Sequence, residues 1–412
     1  MRLWKVFFKT LACAVVLGVG GFILAVGLHQ EAPREPGKLR VLFTNHHDAY
    51  SHGHLTFIAA ITTSSLARTY DFYLAAPESS DAYRVMQDSK TVQVIDCLFP
   101  AKLTGLRGFI EACKHFRQIC KQVDPDIIHL NGSADKTVAF FSTWLLPRTP
   151  KFIRTYHVSK TIRKDPYHRF VCNHWLNANH FVSRSAYELN LERGGLSLER
   201  LWIIENGVNT QYFAPRPTDF YLRAQLGIEP DVRVFGTCAG VAAYKRVDLM
   251  VRAMHALKDR YRIAMVALGD DANSALWRKR IEAEGLEDVV FFEGYHRDVR
   301  PYVSLFDVGF VLSDGVESIS YAAREMMSMG VPLITSTYSG LKDNVDAGVN
   351  GLCVPPDDAA AVQIAVERFA KMSDEELLRF SKAARAKAVK DFSVKTQIEG
   401  IASMYASVLR AE

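Results

Sequence analysis

The feature that most limits what this chain can fold into is an alternation of short apolar runs with helical stretches, and the alternation restarts once. The runs LRVLFTN (39–45), DFYLAA (71–76), PDIIHLN (125–131) and KFIRTYH (151–157) are separated by helical patterns at 54–69, 106–122 and 137–146. A segment rich in Asn, Gly and Pro, IIENGVNTQYFAPRP (203–217), interrupts the series. It then resumes with VRVFGTC (232–238), RIAMVALG (262–269), DVVFFEGY (288–295), VGFVLS (308–313), PLITS (332–336) and LCVPP (352–356), with helices at 247–257 and 273–284 between them. Runs that are apolar throughout, rather than alternating, indicate parallel strands covered by helices on both faces. The fold class expected is therefore α/β, with two doubly wound domains in tandem, residues 39–213 and 214–395, and a last helix at 396–412 returning to the first domain. A chain of 412 residues is too long for one ordinary core, which agrees with two domains. Ligands of such sheets bind at the carboxyl ends of the strands, so the natural site is the cleft between the two domains.

The N-terminus has a different character. TLACAVVLGVGGFILAVGL, residues 10–28, carries no charge, and at about 1.5 Å per residue a helix of this length approaches the thickness of a bilayer's hydrocarbon core. A cleaved signal peptide is the rival reading. The apolar run is long for one, and Leu28-His29-Gln30 is a poor cleavage site, which favours an uncleaved transmembrane anchor followed by a short linker at 29–38. Arg2, Lys5 and Lys9 precede the span. The positive-inside rule then puts the main body on the non-cytoplasmic side, whereas a substrate supplied by the cytosol would favour a cytoplasmic-facing body, which is the orientation expected. Residues 1–200 hold 25 Lys and Arg against 16 Asp and Glu, and residues 201–412 hold 25 against 29. A basic first half suits a membrane surface or an anionic substrate. The seven cysteines are irregularly spaced with no C-x-x-C pair, so neither a disulfide framework nor a zinc site is expected.

Four features point into the expected cleft. Gly53 lies in the loop after the first strand, where a glycine lets backbone approach a phosphate or sugar; a plain turn glycine is the simpler alternative. His157 ends a strand and so faces the crevice, with a satisfied structural histidine as the equal alternative, and the segment from Lys151 to Phe170 around it is basic, with Arg154, Lys160, Arg163, Lys164 and Arg169 interleaved with aromatics. That surface suits a lipid headgroup or an anionic acceptor; no nucleic-acid motif accompanies it, and no nucleic-acid partner is expected. Lys245 stands in a loop at the start of an amphipathic helix, where an ammonium can neutralise a diphosphate; a solvated loop lysine is the equal alternative. Finally, SDGVESISYAAREMMSMGVPLITS (313–336) places Glu317 in the loop after a strand and Glu325 one turn into a helix ending at Gly330. Two glutamates on or beside a helix are ordinarily surface charge; their position at a strand's carboxyl end is what argues otherwise.

These segments together resemble the retaining nucleotide-sugar glycosyltransferases of the group-1 type, glycosyltransferase family 4. The likeness covers about residues 39–412. It is carried by Glu317…Glu325 in the spacing of the family's E-x7-E element, and by NGVN (206–209), KRVDL (245–249), EGLEDVVFFEG (284–294), FDVGFVLS (306–313), YSGLKDNV (338–345) and NGLCVPP (350–356), in family order. The resemblance implies two Rossmann-like domains in the GT-B arrangement. It implies that Glu325 accepts from the donor ribose, that Glu317 positions the donor sugar, and that the backbone N–H groups of Ile319 and Ser320 hold the diphosphate with Lys245. It also implies that His157 acts near the sugar and acceptor and that Gly53 lets a loop approach the donor phosphate. No metal or cofactor is implied beyond the nucleotide-sugar co-substrate. Three departures stand out: Ala239-Gly240 replaces the usual Gly-Arg ahead of the lysine, so that either Arg246 substitutes or the clamp is lysine alone; Ser320 replaces a glycine; and Asp343 replaces a glutamate.

The function expected is that of a membrane-anchored hexosyltransferase-type enzyme acting on a membrane-associated or anionic acceptor in lipopolysaccharide or cell-surface polysaccharide synthesis. A nucleotide-sugar epimerase or a phosphorylase of the same fold, or an inactive anchored sugar-binding protein, are the alternatives.

Overall fold

The computed structural model describes residues 37–411 apart from 47–51, 101–104, 144–145, 147 and 316. The expected anchor at 10–28 lies outside the described residues; among those described, no helix is long and apolar enough to cross a membrane.

Two parallel sheets form the molecule. The first has strands β1 (Leu39–Thr44), β2 (Tyr70–Ala76), β3 (Val92–Asp96), β4 (Ile127–Leu130), β5 (Lys151–Tyr156), β6 (Ala178–Phe181) and β7 (Leu201–Ile203), in the order β3-β2-β1-β4-β5-β6-β7. The second has β8 (Arg233–Thr237), β9 (Ile263–Leu268), β10 (Val290–Gly294), β11 (Val308–Val311), β12 (Leu333–Ser336) and β13 (Gly351–Val354), in the order β10-β9-β8-β11-β12-β13. Strand order reverses between β1 and β4 in one sheet and between β8 and β11 in the other, and such switch points open a crevice at the strands' carboxyl ends. The helices that matter for the site are α1 (His52–Thr62), α2 (Ala134–Ser142), α3 (Arg184–Arg193), α4 (Val247–Leu257), α5 (Tyr321–Ser328) and α6 (Val394–Arg410).

The period of two along each strand sorts side chains between two cores in the first domain. Val41 and Phe43 pack with Phe57 and Ile61 of α1 on one face. Leu42 packs with Ile128, Phe152 and the helix Leu106–Val123 on the other. The amphipathic α6 follows the second domain in sequence, yet Ile401, Met404 and Tyr405 lie in the first domain's core, and the Tyr405 hydroxyl reaches Nδ1 of His129 at 2.8 Å. The chain thus crosses between domains twice, at the segment before α4's domain and at the start of α6.

Arg324 of α5 pins the first crossing. It is fully buried, bonds the Asn206 carbonyl, Glu205 (3.3 Å) and Asn344 Oδ1 (3.0 Å), and lies over the Phe392 ring at 3.9 Å. A second tie joins α3 to the second domain: the Ser185 backbone N–H and hydroxyl both donate to Asp343, at 2.9 and 2.6 Å. Close approach here demands Gly340, because a Cβ at that position would stand 2.0 Å from the Ser318 carbonyl oxygen. Asp343, the residue that stands in place of the family's glutamate, is in this structure an interdomain fastener. The six cysteines among the described residues are all free.

Candidate active site

The second domain's half of the crevice is made by the loops after β8 and β11. Lys245 ends a 3-10 turn (Ala243–Lys245). Its ammonium donates to Glu317 Oε2 at 2.6 Å, and the Ser313 hydroxyl donates to the same oxygen at 3.1 Å. Ser313 is itself held by position, since the Ser336 hydroxyl donates to its carbonyl at 2.6 Å. Both members of the Lys245–Glu317 pair are mostly shielded, with side chains 13% and 11% exposed. One Glu317 oxygen is therefore committed, and the other has no protein partner among the described residues.

Glu325, two turns along the same segment, is different. No hydrogen bond or ion pair to its carboxylate forms among the described residues, and burial alone pushes its pKa up to about 7. It lies within electrostatic reach of Cys238 at the mouth of β8, a thiol that also feels Lys245, so Glu325 and Lys245 converge on one point. An unpaired carboxylate in a desolvated position is costly unless a ligand supplies donors.

Between the two glutamates the backbone is strained. Ser320 has φ +54° and ψ 102°, and its hydroxyl caps α5 by accepting from Ala323 N–H at 3.3 Å. This conformation explains why a glycine is the easier residue there. Among the described residues nothing accepts from the backbone N–H groups of Ile319 or Ser320. The buried hydroxyls of Ser318, Tyr321 and Ser339 likewise lack partners. Unsatisfied donors at a helix N-terminus make an anion site.

Arg246 does not face this site as a free cation. It takes φ +51°, and its guanidinium meets Asp248 (3.1 Å), Asp314 (2.9 Å) and Asp357. These three carboxylates hold its pKa above the usual arginine value, Asp248 contributing most. A guanidinium already matched by three carboxylates is not available as a diphosphate clamp, so Arg246 does not take the place of the family's missing arginine in this structure.

The first domain contributes the opposite wall. His157 follows β5, and its Nε2 donates to Asn131 Oδ1 at 2.9 Å, while the Asn131 amide donates to the Thr44 carbonyl at 3.0 Å. The ring stacks on His54 (3.9 Å between centroids) and meets Phe57 edge-on at 5.1 Å. Orientation of His157 is thus fixed from three sides. Gly53 sits in the first turn of α1 with open space where a Cβ would stand, so nothing among the described residues requires glycine there. Arg154 is part-buried, with Nη2 donating to Ser133 Oγ at 3.0 Å, whereas Lys160 is exposed.

Sequence reading missed several members of this wall. Asp135 is fully buried and accepts from Asn131 N–H (3.1 Å), Gly132 N–H (3.0 Å) and Lys136 N–H (2.8 Å). It shapes the β4–α2 turn, and Gly132 is needed because a Cβ would collide with His46 Nδ1 at 2.0 Å. The only signal was GSADK directly after PDIIHLN. Among the described residues no group of three His, Cys, Asp or Glu is placed to hold a metal ion.

Comparison with known proteins agrees with the two-domain fold. A model described as Glycosyltransferase Family 4 matches residues 52–212, and one described as Glycosyl transferases group 1 matches residues 232–372. The chain is 27% identical over 228 residues to the putative colanic acid biosynthesis glycosyltransferase WcaL of Escherichia coli, covering 52% of this chain and 53% of that protein. It is 26% identical over 217 residues to the lipopolysaccharide core biosynthesis mannosyltransferase LpsB of Rhizobium meliloti, covering 50% and 61%. The matches thus span little more than half the length of these relatives. Anabaena HepE, solved in complex with UDP, superposes with a TM-score of 0.74 at 17% identity, over 90% of this chain and all of that one, which shows a shared fold.

Proposed function

Because the chain belongs to the group-1 glycosyltransferases of family 4, matched in both domains, we propose that it transfers a sugar from a nucleotide-diphosphate donor to a hydroxyl of a glycan or lipid-linked acceptor in polysaccharide or lipopolysaccharide synthesis. The observation that carries this reading is that, among the described residues, the Glu325 carboxylate beside the Lys245–Glu317 pair has no partner and the amides of Ile319 and Ser320 have no acceptor. Carboxylate, cation and amides are the three kinds of group a nucleoside diphosphate needs at its ribose and its phosphates. The named activities of WcaL and LpsB and the UDP bound by HepE support the substrate class.

In this account Glu325 accepts from the ribose hydroxyls. The N–H groups of Ile319 and Ser320, at the positive end of α5, and the Lys245 ammonium receive the diphosphate. The free oxygen of Glu317 accepts from a hydroxyl of the donor sugar. With Arg246 committed elsewhere, Lys245 is the cation of the KR pair that meets the leaving group. The bond from the anomeric carbon to the diphosphate oxygen breaks, and a bond from that carbon to the acceptor oxygen forms on the same face. The acceptor's proton passes to the departing phosphate, and configuration is retained. His157, held by Asn131, positions the sugar and the acceptor hydroxyl. Gly53 leaves room for α1 to approach the donor, with no resident metal or cofactor taking part. Residues 10–28 anchor the chain in a membrane, with the body facing the cytoplasm that supplies the donor.

Isothermal titration with UDP-, GDP- and ADP-sugars tests the donor reading. One nucleotide series binding, and binding weakened in Glu325→Ala, is the expected outcome; no binding by any of the three contradicts it. Conversion of the free donor to its epimer in the same samples would favour the epimerase reading instead.

A further inference from the structure

We infer that Lys136 and Arg154, together with the Ser133 hydroxyl, form an oxyanion subsite in the first domain that holds a phosphate group of the acceptor. Assigning that phosphate to the acceptor rests on the transfer reading above; that the site takes phosphate does not.

Lys136 lies in the first turn of α2, and the residue is only 3% exposed. Its ammonium faces the ring of Tyr167, 4.9 Å from the centroid, and forms no ion pair among the described residues. Arg154 projects from β5 over the ring of Tyr156, at 4.4 Å, and one of its nitrogens takes the Ser133 hydroxyl. Its Nε is buried without a partner among the described residues. So two cations share one low-dielectric corner, and among the described residues no carboxylate is paired to either. The acids closest to hand are committed elsewhere. Asp135 accepts from the backbone of the β4–α2 turn, and Asp165 accepts from His168 Nδ1 at 2.8 Å and from its backbone N–H at 3.0 Å. Burial, and next the charge of Arg154, lower the Lys136 pKa to about 8, so the corner carries an electrostatic cost that an anion would remove.

The donor set says which anion. An ammonium, a guanidinium edge and a hydroxyl, contributed by a helix, a strand and the turn between β4 and α2, approach from different directions, which suits a tetrahedral oxyanion better than a planar carboxylate. The subsite also lies beside the reacting region. Ser133 is two residues beyond Asn131, the group that holds His157. A phosphate anchored here would place a neighbouring hydroxyl of the same molecule toward the crevice. The simpler account is that the Lys136 stem packs beneath Tyr167 and the charge is merely tolerated. It requires that phosphate have no effect on this corner.

The test titrates inorganic phosphate into the full chain, followed by phosphorus NMR and calorimetry. It is run in the natural sequence and in Lys245→Gln, so that binding at the donor site is separated from binding here. Phosphate affinity in the Lys245→Gln background should fall about tenfold or more when Lys136→Met or Arg154→Gln is added, the loss of one charged hydrogen bond. Arg154→Lys should recover part of it. UDP affinity, read in the Lys136→Met and Arg154→Gln single variants, should stay within twofold of the natural chain, which distinguishes failure of this site from failure of the donor reading. Lys136→Met keeps the stem's packing, and if it does not fold, the Arg154 pair reads the same site. Vesicles of phosphatidic acid against phosphatidylcholine then identify the source. Retention on phosphatidic acid that is lost in both variants assigns a lipid phosphate; binding of free phosphate alone assigns a soluble or glycan-borne one. Phosphate binding absent in the Lys245→Gln background, or unchanged by both substitutions, overturns the proposal.

Discussion

Replacing Glu325 with glutamine should make the protein more stable and a worse nucleotide binder. The carboxylate is unpaired, and burial moves its pKa from 4.5 to about 7. A group whose folded pKa is raised contributes stability that is present below the unfolded value and lost as pH rises through the folded value. At pH 8.5, above both, the ionised side chain therefore costs folding free energy. At about 1.36 kcal/mol per pKa unit the shift corresponds to roughly 3 kcal/mol, and access of solvent from the crevice lowers this to about 1.5–3 kcal/mol. Glu325→Gln keeps the shape and removes the charge. With roughly 2–4 °C per kcal/mol for a domain of this size, its melting temperature should exceed that of the natural chain by roughly 3–12 °C at pH 8.5. The gain should shrink to less than half at pH 5.5. The same variant should lose about tenfold to hundredfold in affinity for the nucleotide, because hydrogen bonds to a charged acceptor contribute about 1.5–3 kcal/mol. Thermal melts across pH, paired with calorimetric titration, read both effects. A gain that is flat with pH, or no gain at all, refutes the burial argument; unchanged nucleotide affinity refutes the ribose assignment.

Other consequences follow from the same geometry. Ribose hydroxyls bind the ionised carboxylate, so at pH 6 a nucleotide sugar should displace close to one proton per molecule bound, seen as a dependence of binding enthalpy on buffer ionisation; a buffer-independent enthalpy contradicts it. Ser320→Gly should stabilise by about 0.5–1 kcal/mol, since relief of a positive φ outweighs the few tenths lost when a serine cap becomes glycine; destabilisation in a denaturant melt would show that the cap dominates. Arg246→Ala, which strands Asp248, Asp314 and Asp357, should cost about 1–2 kcal/mol of stability yet change UDP affinity less than threefold, whereas an Arg246 that clamps diphosphate would lose tenfold or more. His157→Ala should lower turnover by at least about hundredfold with donor affinity within threefold, as expected for a group that acts at the transferred sugar; a loss confined to donor binding would move His157 out of that role.

Much of this was legible in the chain because parallel strands announce themselves. Runs such as RIAMVALG and VGFVLS are apolar on both faces, and each became a buried strand. Three strands were not visible. VQVID is an edge strand that alternates, ANHF carries Asn179 and His180 into the core where only tertiary bonds satisfy them, and LWI is three residues long. The glutamate segment was readable because its spacing fits a loop and one helical turn. What spacing could not show is partnership. That Glu317 would be paired and Glu325 unpaired, that Arg246 would be claimed by three carboxylates, and that Asp343 would fasten two domains all depend on residues distant in sequence. Lys136 was the least visible of all, since a lysine in a first helical turn is ordinarily solvated, and only the packing of Tyr167 over it reveals its burial.

The central claim is that this crevice breaks the bond between a sugar and a nucleoside diphosphate. Detergent-solubilised full-length protein incubated with a panel of UDP-, GDP- and ADP-sugars, with released nucleoside diphosphate measured directly, tests it with no knowledge of the acceptor. Slow release from one nucleotide series, lost together in Lys245→Gln and Glu325→Gln, is the result predicted. No release from any donor, or release that survives both substitutions, would contradict it.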